Sequence, residues 1–343
     1  MDVFWDDVQL QHTPAFFLQR GQVRPHFEVP ARALSLLGGV GALGLTPRKP
    51  PPLDPADLAT VHTADYLDFL RTAHAEWSAM GGGGPEVVAN MHPAPEMLAH
   101  MARPGAAIIG RAGWFSADTA CPIGPHTWEA ACAAPACALA AADAATAGRS
   151  AYALVRPPGH HAYPARAGGH CYLSNAALAA ERLRRAGASR VAILDIDSHH
   201  GNGTQGIFWD RADVFFASIH GDPGGYYPWY VGHAAERGAG AGEGCNLNLP
   251  LPRGSADAPW LAALDIALAA IGRFSPDALV VSLGFDASEH EPLSYLAVTA
   301  DGFARAGERI ASLGIPAAII QEGGYDTERL GTLLQRFLSA YAP

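Results

Sequence analysis

Charge is sparse in this chain. Asp, Glu, Lys and Arg make up 16% of its 343 residues, and 33 acidic against 23 basic side chains give a formal net charge of −10. No cluster of Lys and Arg stands out, so binding to nucleic acid is not expected. A small cationic partner suits the acidic field better. No apolar run is long enough to span a bilayer, which sets membrane insertion aside. The start, Met1-Asp2-Val3-Phe4-Trp5-Asp6-Asp7, lacks the basic stretch that opens a secretory signal. Cysteine is scarce too: Cys121, Cys132, Cys137, Cys171 and Cys245 are odd in number and show no CxxC spacing. That pattern excludes a disulfide scaffold, and reduced thiols in a cytoplasmic protein are expected.

What the chain has in quantity is apolar: 49% of its residues are hydrophobic, enough for one large α/β domain. Its most informative stretch is Leu194-Asp195-Ile196-Asp197-Ser198-His199-His200-Gly201-Asn202. The stretch closes an apolar run that reads as a buried strand. If the extended chain continues, Asp195, Asp197 and His199 alternate onto one side. Carboxylate oxygen beside imidazole nitrogen is a ligand set for zinc, iron, manganese or cobalt. Burying so much charge at a strand end is costly unless a cation or partner compensates.

Three other segments share this layout. Tyr152 to Val155 leads into Arg156-Pro157-Pro158-Gly159-His160-His161, Ala278 to Leu283 into Gly284-Phe285-Asp286, and Pro316 to Ile320 into Gln321-Glu322-Gly323-Gly324-Tyr325. Helical patterns separate the runs, which predicts a parallel sheet with helical crossovers. In such sheets ligands bind outside the carboxyl ends of the strands. Asp197, His199, Asp286, His160, His161 and Tyr325 are therefore expected on one rim.

Elsewhere the pattern predicts helices near Pro30–Leu37, Pro55–Thr72, Trp128–Ala147, Asn175–Arg185, Ala258–Phe274, Asp301–Leu313 and Glu328–Tyr341. Further strands are predicted over Arg190–Asp197, Asp213–His220 and Ile315–Gln321. Residues 79–120 are rich in Gly, Pro and Met and too irregular for a core element. They read as an insertion that packs over the site or against another subunit. No internal repeat and no domain boundary is visible, so residues 1–343 are expected to form one domain.

RPPGHHA at 156–162, GGHCYLSNAA at 168–177, ILDIDSHHGNGTQ at 193–205, SIHGDP at 218–223, VSLGFDA at 281–287 and QEGGY at 321–325 occur in one order. In that order the chain resembles the zinc-dependent histone deacetylase superfamily. The likeness is to its bacterial acetylpolyamine amidohydrolase and histone deacetylase-like amidohydrolase branches, over roughly residues 120–330. The resemblance implies an arginase/deacetylase-like three-layer α/β fold, with a central, mostly parallel sheet and helices on both faces. It implies Zn2+ on Asp197, His199 and Asp286, with Fe2+ or Co2+ also suited to that donor set. His161 would be the general base, hydrogen-bonded to Asn202, and His160 its electrostatic partner, oriented by Asp195. Tyr325 would donate to the carbonyl oxygen of the substrate. A structural K+ would lie at Asp195, Asp197, His199 and Ser218.

The substrate passage departs from the family pattern. His170 stands after Gly169 where the family has an aromatic ring, and Tyr227 is the facing aromatic. Leu293 occupies the gatekeeper region, and Asp118 matches an acidic loop residue that meets the distal amine of the substrate. The expected activity is hydrolysis of an acetylated polyamine or similar small cationic amide to acetate and free amine, by a homodimer. The alternative substrate is acetyl-lysine in a protein or peptide. An arginase-like ureohydrolase would need more bridging carboxylates than DIDSHH and Asp286 supply, and an inert binder of acetylated ligands would not need His161 and Tyr325. Taken singly, each residue also has a plain structural reading: Asp as a turn cap, His as a packed ring, GlyGlyTyr as a turn.

Overall fold

In the computed structural model, residues 1–293 and 295–342 are described. Among the described residues, nine strands form: β1 Asp2–Phe4, β2 Phe16–Gln19, β3 Gln22–Pro25, β4 Ala151–Ala153, β5 Val191–Asp195, β6 Val214–Gly221, β7 Asn246–Leu251, β8 Ala278–Leu283 and β9 Ala317–Gln321. Seven of them build one sheet in the order β1-β4-β9-β8-β5-β6-β7, with every neighbouring pair parallel. β2 and β3 form a separate antiparallel hairpin.

The helices are α1 Pro30–Ala42, α2 Pro55–Leu58, α3 Ala64–Met80, α4 Pro95–Ala99, α5 Ile108–Trp114, α6 Thr127–Thr146, α7 Asn175–Arg185, α8 Asn202–Phe208, α9 Asp257–Phe274, α10 Ala300–Ala311 and α11 Leu330–Tyr341. Alternate residues of the central strands feed two cores. Leu194, Ala217, Val281 and Ile319 pack with α1, α9, α10 and α11 on one face. Ile193, Phe216, Val280 and Ile320 pack with α6 and α7 on the other. Strands covered on both faces read as unbroken apolar runs, which is why this sheet is visible in the sequence. The three-layer fold is as expected, and no described helix is long and apolar enough to cross a membrane.

Three expectations need correction. The helix expected over 55–72 is two helices, α2 and α3, parted at 59–63. Thr63 closes that gap as the residue preceding α3 and donates its backbone N–H to the Pro164 carbonyl. The 79–120 insertion contains two short helices and does enter a core: Ile108, Ala112 and Phe115 are buried with Trp77, Val87 and Ile123. β5 ends at Asp195, so strand alternation does not govern Asp197 and His199; the His160 ring lies between Asp195 Oδ2 at 2.9 Å and Asp197 Oδ1 at 3.8 Å.

Candidate active site

Four strand ends deliver the polar residues. Asp197 and His199 follow β5, Asp286 follows β8, Tyr325 follows β9, and His160 and His161 follow β4. One ligand atom from each of Asp197, His199 and Asp286 lies within 4.8 Å of the others. Nδ1 of His199 is 2.9 Å from Asp286 Oδ2 and 3.2 Å from Asp197 Oδ1. The other carboxylate oxygens are fixed by backbone: Asp286 Oδ1 accepts from Ser198 N at 2.8 Å, and Asp197 Oδ2 from Gly323 N at 2.8 Å. Glycine is required here by close approach. A Cβ on Gly284 would stand 2.0 Å from Asp197 Oδ2, and one on Gly323 would stand 2.4 Å from Asp286 Oδ2.

This donor set fits a divalent cation. Two carboxylates with no solvent exposure face a single imidazole, an excess of buried negative charge that a cation offsets. Burial raises the Asp286 carboxyl, with Asp197 adding to the effect. Burial alone would also raise Asp197, but His160 and His199 pull it far below the usual carboxylate range.

The paired histidines have opposite surroundings. His160 Nδ1 is 2.9 Å from Asp195 Oδ2, and its Nε2 is 3.8 Å from Asp197 Oδ1. Burial works against the imidazolium of His160, yet Asp195 and Asp197 outweigh it and hold the group up at about 10. His161 Nδ1 is 2.6 Å from Asn202 Oδ1, the first residue of α8. Burial, reinforced by the charge of His160 and His199, holds His161 well below the ordinary histidine value. Neighbouring rings thus keep different protonation states.

Tyr325 is seated from three directions. Its backbone N donates to Glu291 Oε2 at 2.9 Å, and the Arg32 guanidinium lies 4.8 Å from its ring centroid. Arg32 also donates from Nε to Gly324 O at 2.5 Å and from Nη2 to Glu322 O at 2.6 Å. Burial pushes the phenol well above its ordinary value, so it keeps its proton to donate. Glu322 fixes the other side of the rim, its Oε2 accepting from Gly159 N at 2.7 Å and His160 N at 3.1 Å.

The residues expected around the passage also gather here. A Cβ on Gly169 would stand 2.3 Å from the His161 ring, and the Tyr227 ring meets His161 edge-on at 4.9 Å. Asp118 Oδ2 accepts from Tyr227 Oη at 2.6 Å and from Gly169 N at 2.9 Å. His170 meets Tyr325 edge-on at 5.8 Å. Leu293 is half-buried, and its carbonyl accepts from Tyr226 Oη at 2.7 Å. Asp195 and Ser218 pair in register on β5 and β6, and Ser218 Oγ is 2.8 Å from His220 Nδ1.

Sequence reasoning missed several contributors. Tyr226, beside the expected Tyr227, stacks on His199 at 4.5 Å. Phe17 and Phe27, from the hairpin and its exit, stand against His170 and Tyr325. Glu28, Arg32 and Arg156 form a buried ion cluster, with Glu28 Oε1 2.8 Å from both Arg32 Nη1 and Arg156 Nε.

The domain model for the histone deacetylase domain matches residues 26–341. The chain belongs to the histone deacetylase family. Within that family it is 46% identical over 342 residues to the acetylpolyamine amidohydrolase of Burkholderia pseudomallei strain 1710b, covering 98% of this chain and 97% of that one. It is 45% identical over 343 residues to acetylpolyamine amidohydrolase 1 of Pseudomonas aeruginosa PAO1, covering 99% and 98%. The crystal structure of the acetylpolyamine aminohydrolase from Burkholderia pseudomallei superposes with a TM-score of 0.95 at 45% identity, over 99% of this chain and 98% of that one. The chain is thus a histone deacetylase-family hydrolase, and a divalent metal, typically zinc, goes with the family.

Proposed function

We propose that this protein hydrolyses the acetyl amide of acetylated polyamines or similar small primary-amine amides, giving acetate and the free amine. The observation that carries the chemistry is one rim where a two-carboxylate, one-imidazole donor set stands beside a neutral His161 and a protonated Tyr325. Similarity over nearly the whole chain to two acetylpolyamine amidohydrolases supports the substrate class.

Asp197, His199 and Asp286 would hold the metal, with zinc preferred and Fe2+ or Co2+ compatible. When bound, the metal supplies Lewis acidity toward the acetyl carbonyl and the attacking water. With Nδ1 of His161 donating to Asn202 Oδ1, Nε2 is the free basic nitrogen. It takes the proton of water and returns it to the leaving amine. His160 stays protonated against Asp195 and stabilises negative charge nearby. Tyr325 donates from its phenol to the carbonyl oxygen as charge develops there.

The insertion exposes Met91, Met97, Leu98, Met101 and Ile109 on a single domain spanning 1–343, which suits a homodimer. A structural K+ at Asp195, Asp197, His199 and Ser218 suits the fully buried, in-register Asp195–Ser218 pair. All five cysteines are unpaired, which suits the cytoplasm. The test compares kcat/KM of the zinc-loaded protein on acetylputrescine, acetylspermidine and an acetyl-lysine peptide. Preference for the small amines supports the proposal, and preference for the peptide replaces it with lysine deacetylation.

A further inference from the structure

His170 is a histidine in an unusual place. Its φ is +72°, a left-handed conformation that costs a residue with a Cβ energy unless the surroundings hold it there. Gly169 and His170 are the central pair of a two-residue turn closed by Gly168 and Cys171, whose backbone N–H groups donate to each other's carbonyls at 3.0 and 2.8 Å, and such a turn takes positive φ at both positions. The ring is fixed by a hydrogen bond from Nδ1 to Ala120 O at 2.8 Å. A carbonyl only accepts, so Nδ1 carries the proton and Nε2 presents a lone pair. The neighbouring ring of His26, 4.3 Å away, reaches the same carbonyl through Nε2 at 3.3 Å and accepts from Glu28 N at Nδ1. His26, donating at one nitrogen and accepting at the other, is thereby tied in an uncharged tautomer. At His170 the carbonyl fixes Nδ1 as the donor, and burial, outweighing that carbonyl, lowers the group so that Nε2 is left as the acceptor.

Nε2 of His170 makes no hydrogen bond among the described residues. It also differs from His12 Nε2 and His200 Nδ1, which are unpaired and sealed from solvent. It is a fixed acceptor left open in a ring that stands edge-on to Tyr325, the residue placed at the reacting carbonyl. Close by is Asp118, half-buried, with its oxygens bonded to Tyr227 Oη, Gly169 N and Ala120 N and with no basic side chain paired to it among the described residues. Its charge is thus left for whatever occupies the passage. A donor entering here gains an acceptor, and a positively charged donor gains the field as well. An uninterrupted methylene chain gains neither and leaves Nε2 unsatisfied.

We propose that His170 is a specificity-determining residue whose Nε2 accepts a hydrogen bond from a protonated secondary amine within the substrate chain. The inference rests on the small-amine reading above and adds a substrate class to it: acetylated triamines and longer polyamines over acetylated plain diamines. No bond is made or broken, and Asp118 offsets the ammonium charge.

The test uses the zinc-loaded full chain and two substrates of one length. One is spermidine acetylated on its aminobutyl end; the other is the acetylated octane diamine, in which a methylene replaces the secondary nitrogen. The wild-type protein is expected to favour the spermidine compound in kcat/KM by about tenfold or more, the size of a charge-assisted hydrogen bond. His170→Phe keeps a ring and removes the acceptor, so the ratio should fall toward one. A ratio near one in the wild type, or a preference that survives the substitution, overturns the inference. His170→Asn, which tolerates a positive φ but does not reach as far, gives the same reading where His170→Phe does not fold. Cleavage of both compounds without preference overturns this inference alone. Cleavage of neither, alongside an acetyl-lysine peptide that is cleaved, overturns the small-amine reading and this inference with it.

Discussion

His161 Nδ1 and Asn202 Oδ1 lie 2.6 Å apart at the start of α8. The amide oxygen fixes the tautomer of the ring without bringing a charge, whereas the adjacent His160 has a carboxylate in the same position. Removing the amide lets the His161 ring turn and exchange tautomers. Asn202→Ala is therefore expected to lower kcat by about tenfold to a hundredfold, with KM and zinc content near wild type. Unchanged turnover would take Asn202 out of the mechanism.

Tyr325 is the donor that the Glu291 and Arg32 contacts hold in place. Tyr325→Phe preserves the ring against Arg32 and removes only the hydroxyl. Loss of one oxyanion donor costs about 10²–10³ in kcat. The same loss is expected here with the metal retained, as read by steady-state kinetics beside a zinc assay.

Much of the sheet was legible and much of the support behind the site was not. β5, β8 and β9 are buried on both faces, so each shows as an apolar run ending in polar residues. β1 is three residues long, and β7, Asn-Leu-Asn-Leu-Pro-Leu, lies at the sheet edge with only part of its length buried. Neither carries a run that rises above the background. The strand ends named Asp197, His199, Asp286, His161 and Tyr325 because the chemistry sits in short motifs. Arg32 was invisible because its partners Glu322 and Gly324 are distant in sequence, and nothing local distinguishes it from a solvated helix cation. Strand periodicity does not describe Asp197 and His199, because both lie beyond the point where β5 ends.

Asp197 and Asp286 are fully buried and share the Nδ1 of His199. Asp197→Ala or Asp286→Ala leaves too few donors for a catalytic divalent site. Each is expected to abolish activity and to reduce bound zinc to a small fraction of one equivalent, measured on desalted protein. Near-stoichiometric zinc in either variant would refute its assignment as a ligand.

His62 makes acid stability testable. Its Nε2 accepts from Ser174 N at 3.0 Å and its Nδ1 lies 3.3 Å from Pro164 O, so the fold needs the neutral ring. Burial lowers the group from 6.5 to about 4, outweighing the backbone carbonyls that favour the proton. Between these values the unfolded chain binds a proton that the fold does not. Stability is therefore fully present above about 6.5, falls as pH drops through that value, and stops falling on this account below about 4. The loss from this one residue is on the order of 3 kcal/mol at pH 4. His62→Gln removes the titration, so its Tm should fall less steeply than wild type between pH 7 and pH 4, even if it starts lower. Parallel Tm profiles for the two proteins would show that His62 takes up its proton without loss of the fold.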